Sequence, residues 1–215
     1  PRATLLVMSD HGFCNFGRQF DLNIWLRENG YLGPATADSL LAVPGATAVD
    51  WGQTRAYGIG LNALYVNLSG REEFGIVKGD ERNALLRELK QKLLAARDPV
   101  NGEPAITDVY LADEVYRGPG CKYAPDLIVG YRRGYRSSWA TALGGLGERV
   151  FSDNDVAWSA DHCMATQELP GILFANRPIA HAQPTLLDLA PTILNEFNLP
   201  IPADMTGRPV LAPKA

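Results

Sequence analysis

The chain has 215 residues, 46% apolar and 20% charged, a balance that supports one domain with a sizeable core and excludes intrinsic disorder as a description of the whole. Twenty Lys and Arg against 24 Asp and Glu leave a net charge of -4, so no global positive field exists to hold a polyphosphate backbone, which argues against a nucleic-acid scaffold. The longest uncharged, mostly apolar run, Leu40 to Val49, contains Pro44 and Gly45 and falls well short of the ~20 residues of a membrane span.

In chain order, Pro1-Arg2-Ala3-Thr4 leads at once into the apolar run Thr4 to Ser9, so the chain reads as if it begins in mid-domain. That run suits a strand buried on both faces, as in a parallel sheet. Asp10-His11-Gly12 ends it, and a loop is expected next. Asp21 to Asn29 reads as a helix with Leu22, Trp25 and Leu26 on one face and Gly30 as its C′ residue.

Ala35 to Gly60, rich in Gly, Ala, Pro and Thr, reads mostly as loop, and Leu64 to Leu68 as a strand or hairpin arm. The clearest helix is Glu81 to Arg97. Asp80 is its expected N-cap, Leu85, Leu89 and Leu93 recur at four-residue spacing, and Asp98-Pro99 stops it. Ile106 to Leu111, Asp126 to Val129 and Gly171 to Ala175 are further strand candidates. A last helix within Thr185 to Phe197 must start late enough to place Pro191 near its first turn. Strands alternating with helices predict an α/β fold with a mainly parallel sheet flanked by helices.

Cys14, Cys121 and Cys163 form no CxxC pair, so neither a disulfide framework nor a Cys-rich zinc knuckle is indicated. The three histidines are His11, His162 and His181. His11 follows Asp10 at the carboxyl end of a strand, where open α/β sheets gather their ligand sites. A carboxylate and an imidazole there can converge on one divalent metal, or Asp10 can cap a turn beside a half-buried His11. His162, in Trp158-Ser159-Ala160-Asp161-His162, is a distant second donor, or a buried histidine bonded to Asp161.

Val7-Met8-Ser9-Asp10-His11-Gly12-Phe13 resembles the metal-binding motif of the alkaline phosphatase superfamily, in particular its type I phosphodiesterase/nucleotide pyrophosphatase branch. Asp50-Trp51 through Tyr57, Tyr65 to Glu72, Ala124 to Leu127, Trp158 to His162 and Ala190 to Leu194 agree with bacterial members in the same order. The resemblance implies an alkaline-phosphatase-like fold and a hydrolase of small phosphoric esters. It also implies two divalent ions, usually zinc, flanking a Thr or Ser that is phosphorylated and then hydrolysed. Asp10 and His11 match the pair on the metal beside the nucleophile, and His162 matches a ligand of the other metal.

The nucleophile, a further aspartate ligand and an Asp-x-x-x-His pair belong upstream of the Asp-His-Gly motif, so no catalytic nucleophile is expected in this chain. Residues 1–215 are therefore expected to form the C-terminal part of a single catalytic domain, with the N-terminal part as partner. Ser9 and Thr54 match no family nucleophile. Arg55 and Tyr57, in the loop after the metal motif, are candidate substrate contacts, through guanidinium to phosphate and through ring to a base or aryl group; a plain structural turn is the alternative.

Arg117 to Arg136 interleaves arginines, Lys122 and tyrosines, and reads as a solvated strand edge guarded by positive charge, or as a surface for an anionic substrate. Asn67-Leu68-Ser69 satisfies the N-glycosylation pattern from within an expected strand. Two other functions compete with hydrolysis: a non-catalytic module or pseudoenzyme of the same fold, and a phospho- or sulfo-transferase or mutase of the superfamily.

Overall fold

The computed structural model describes residues 3–34 and 49–212. In chain order they form β1 (Leu6–Met8), β2 (Cys14–Phe20), α1 (Leu22–Glu28), β3 (Ala56–Gly58), β4 (Ala63–Val66), α2 (Gly79–Ala95), β5 (Ile106–Leu111) and α3 (Ala112–Val115). Then follow β6 (Leu127–Tyr131), β7 (Gly134–Ser137), α4 (Trp139–Ala142), β8 (Phe151–Asp153), β9 (Ala160–Asp161), β10 (Leu173–Ala175) and α5 (Leu189–Glu196). The chain divides into a smaller unit, residues 1–12 with 170–215, and a larger unit, Phe13–Leu169.

Capping chemistry sets the helix limits. The Asp21 side chain accepts from the Ile24 amide at 2.8 Å, and Gly30 follows the Asn29 C-cap with φ +75°, a conformation that a Cβ would disfavour. For α2 the expected N-cap moves from Asp80 to Lys78, whose amide donates to Glu81 Oε2 at 3.1 Å. Asp80 thereby falls in the first turn, where its charge complements the helix dipole. Leu85, Leu86, Leu89 and Leu93 are buried along one face. Pro191 is the third residue of α5, which starts only after a short 3-10 turn at Leu186–Asp188.

The α/β class is as expected, but the mainly parallel sheet is not. Among the named strands only β2 and β7 pair in parallel; β1–β10, β2–β8, β2–β9, β3–β4, β4–β6 and β5–β6 are all antiparallel. The physical reason lies in the strand order β3-β4-β6-β5. β4, α2 and β5 make the crossover that alternation suggests, and β4 and β5 do run the same way. β6, however, inserts between them and reverses both pairings. The apolar run at β1 likewise is not buried on both faces within its unit: Leu5, Val7 and Met8 are exposed, and β1 pairs only with β10 among the described strands.

The expected loop after Gly12 is β2, the strand that joins β7 on one side to β8 and β9 on the other. Residues 35–48 of the expected Ala35 to Gly60 loop lie outside the described residues; the rest contains a 3-10 turn at Trp51–Gln53 and β3. The core of the larger unit gathers Phe20, Leu22 and Leu26 with Leu64, Val66, the α2 leucines, Val109, Leu127, Val129 and Tyr131. No helix among the described residues is long and apolar enough to cross a membrane.

Buried polar side chains tie this core together. Asp126 accepts from the Val66 amide and from the guanidinium groups of Arg71 and Arg82. Asn67, fully buried, donates to the carbonyls of Trp51, Thr54 and Phe74. The folded chain thus withholds the Asn67 amide from glycosylation. The basic segment is only partly a solvated edge: Arg132 and Arg133 are at the surface, bonded to Glu103 and to the Glu168 carbonyl. Tyr131, Tyr135 and Arg136 are buried, because strands β6 and β7 turn these positions inward.

Candidate metal-binding and substrate residues

In the smaller unit, β1 and β10 hold Asp10 and His11 just beyond their pairing. The ladder runs from Leu6↔Ala175 to Met8↔Leu173 and continues through Ser9, whose amide donates to the Ile172 carbonyl at 3.0 Å. The Ile172 amide in turn donates to Ser9 Oγ at 3.1 Å. Gly171 makes this approach feasible, since a Cβ there would overlap the Ser9 carbonyl.

Asp10 and His11 are both substantially exposed, with His11 Nε2 3.7 Å from Asp10 Oδ2. His11 Nδ1 lies 2.8 Å from the Gly12 carbonyl. A carbonyl can only accept, so Nδ1 is the donor in this contact, and a histidine bonded to the backbone in this way ligates a metal through Nε2. A cavity of 420 Å³, lined by Met8, Ser9, Asp10, Ile172, Leu186 and Leu189 among others, opens beside the carboxylate.

In the larger unit, His162 is presented by the end of β9, which pairs with β2 at Cys14↔Asp161 and Asn15↔Ala160. Asp161 is buried, and its Oδ1 accepts from the amides of His162 at 2.7 Å and Cys163 at 3.1 Å. The carboxylate therefore shapes the turn through the backbone, while His162 Nδ1 stays 3.7 Å from Oδ1. The His162 ring, half exposed, stacks on Phe13 with centroids 6.1 Å apart.

Ligand atoms of Asp161, His162 and Cys163 lie within 4.8 Å of one another, a group that could hold a metal ion. Neither Asp161 nor Cys163 is among the donors expected above; the consecutive Asp-His-Cys string is the signal that marks them. Burial pushes the Asp161 carboxyl up, but the amides of Cys163 and His162, the Cys163 thiol and Arg136 outweigh it, and the net direction is down. Burial, then the charge of Asp161 and a hydrogen bond to it, push the Cys163 thiol up to about 11.

Arg55 and Tyr57 flank the start of β3. The Arg55 guanidinium lies over the Tyr31 ring at 5.9 Å. Tyr57 stacks on Tyr65, meets Trp51 edge-on, and donates to Glu72 at 3.3 Å. Burial foremost, then Glu72, raise its hydroxyl above the ordinary tyrosine range. Thr54 is fully buried; its hydroxyl donates to the Asp50 carbonyl and accepts from the Gly33 amide. A larger cleft of 640 Å³, beside Arg18, Trp25, Arg97 and Arg149, includes none of the expected site residues.

Comparison with protein families matches residues 1–165 to the model described as type I phosphodiesterase / nucleotide pyrophosphatase. No curated protein and no solved structure matches the chain.

Proposed function

Because the chain belongs to the type I phosphodiesterase / nucleotide pyrophosphatase family, we propose that it serves as a metal-dependent phosphoric ester hydrolase, with Asp10 and His11 as donors to one divalent ion and His162 as a donor to a second. The observation that carries this reading is the donor chemistry of the family-matched residues. Asp10 offers an exposed carboxylate, and His11 Nδ1 donates to the Gly12 carbonyl, the backbone bond made by a histidine that ligates through Nε2.

Zinc suits this mixed carboxylate and imidazole set. When bound, such ions supply Lewis acidity and offset the negative charge that builds on the phosphoryl oxygens. The chain's own part is to hold the donors: β1 and β10 fix the position of Asp10, and the Asp161 turn presents His162. Arg55 and Tyr57 complete the proposal as contacts for a small phosphate ester, the guanidinium toward its oxygens and the ring toward its organic group.

Zinc in a catalytic site takes about three protein ligands, so two ions need about twice the three donors named here. The remaining donors and the acceptor hydroxyl are proposed to come from an N-terminal part of the same protein. The bonded state of Thr54 agrees with a nucleophile from elsewhere. The test is steady-state hydrolysis of a phosphodiester and a phosphomonoester by the native protein, before and after chelation and with zinc restored. Turnover lost on chelation and regained with zinc is expected; turnover indifferent to both overturns the reading.

A further inference from the structure

Arg136, on β7, is the largest fully buried side chain among the described residues, 1% exposed. Its guanidinium sits between two aromatic rings, 5.0 Å from the Phe16 centroid and 4.2 Å from that of Trp139. Among the described residues none of its three nitrogens finds a hydrogen-bond partner, and the opposite charge beside it is Asp161, with Nη2 to Oδ2 at 3.3 Å, an ion pair without hydrogen-bond geometry.

A buried cation with no hydrogen bonds is an expensive arrangement, offset here by two cation–π faces and one carboxylate. The two Asp161 oxygens divide their work: Oδ2 faces Arg136, while Oδ1 receives the His162 and Cys163 amides. Taking the charge from Arg136 would leave Asp161 buried and uncompensated. The carboxylate would then turn toward water, which weakens the two amide bonds that define the turn.

We propose that Arg136 is a positioning residue for His162, acting through Asp161: it keeps the buried carboxylate in place so that the turn presents the imidazole in one orientation. The inference rests on the proposed role of His162 for its bearing on catalysis, but its structural content stands apart from that role. It predicts that the Phe16–Arg136–Trp139 stack governs the His162 ring.

The test is NMR of the native protein carrying R136M, which keeps the length of the side chain without its charge, and R136K, which restores the charge. In R136M, the hydrogen-exchange protection of the His162 and Cys163 amides should fall about ten- to a hundredfold, the measure of a hydrogen bond to a charged group. The His162 ring protons should lose the ring-current shift that Phe13 imposes. R136K should recover both signals. Leu89→Ala, a core truncation on α2, controls for general loosening: it should lower the melting temperature and leave the His162 ring shift in place.

If R136M folds with both amides protected and the His162 shift unchanged, the inference is overturned. Should R136M fail to fold, D161N carries the same test, and an unaltered His162 signal in D161N overturns the proposal equally. A parallel arm measures zinc bound by His162→Ala. Zinc content unchanged in that variant, with the R136M signals altered as expected, refutes His162 as a metal ligand and leaves Arg136 as the residue that positions it.

Discussion

Asp126→Asn removes one charge and little volume from a heavily bonded, buried carboxylate of the larger unit. Asp126 is 1% exposed and accepts from the Val66 amide at 2.7 Å, from Arg71 Nη2 at 2.7 Å and from Arg82 Nε at 2.8 Å, with Arg82 Nη2 a further 2.7 Å contact. An asparagine keeps one acceptor oxygen and turns an NH₂ toward guanidinium groups that can only donate. Breaking a buried pair this way costs about 3–5 kcal/mol, or roughly 6–20 °C in melting temperature for a unit of this size.

The pH dependence has a definite sign. Burial pushes the Asp126 carboxyl up, but Arg71, the Val66 amide and Arg82 outweigh it, and its folded pKa lies below the ordinary aspartate value. A depressed carboxyl contributes stability that is present above the unfolded pKa of about 3.9 and is lost as pH falls through the folded value. Urea unfolding followed by circular dichroism should therefore show a wild-type advantage at pH 7 that narrows below about pH 4. A loss under about 1 kcal/mol, the worth of an exposed pair, or a difference independent of pH, would refute the reasoning.

Three other outcomes follow from single positions. Asn67→Ala strips the hydrogen bonds from three carbonyls and should cost about 2–4 kcal/mol by urea unfolding; mass spectrometry of protein from a glycosylating host should find no glycan on Asn67 of the folded wild type. Gly171→Ala forces a Cβ onto the Ser9 carbonyl and should cost about 1–3 kcal/mol as overpacking, seen as faster hydrogen exchange at the Ser9 amide.

Local chemistry made some elements legible. α1 carries its own start and stop in Asp21 and Gly30, α2 its leucine period, and β5 is bounded as Ile106–Leu111 in both readings. β2 was missed because its alternation is hidden. Cys14, Phe16 and Phe20 face inward, but the position between them is Arg18, whose charge is matched by Asp98 at 2.7 and 2.8 Å, 80 residues away in sequence. No local pattern announces such a partner. Strand direction failed for a similar reason, since nothing near β4 or β5 says that β6 will enter between them.

At the candidate site, residue types were readable and surroundings were not. Asp10, His11 and His162 stand out as rare donors beside strand ends, whereas the setting of Arg136 depends on Phe16, Trp139 and Asp161 meeting from separate strands and a helix. Several residues in the segments that carry the family resemblance have structural work instead. Asn67, Arg71 and Asp126 brace β4 and β6, so part of that resemblance records the fold itself.

The central claim is that Asp10, His11 and His162 bind catalytic metal. Its most direct test is the metal content of the native protein and of Asp10→Ala, His11→Ala and His162→Ala, measured by mass spectrometry after gel filtration alongside hydrolysis of a phosphodiester. The account predicts about two zinc ions in the wild type and loss of zinc together with turnover in each folded variant. Wild-type zinc content and turnover in all three would contradict it.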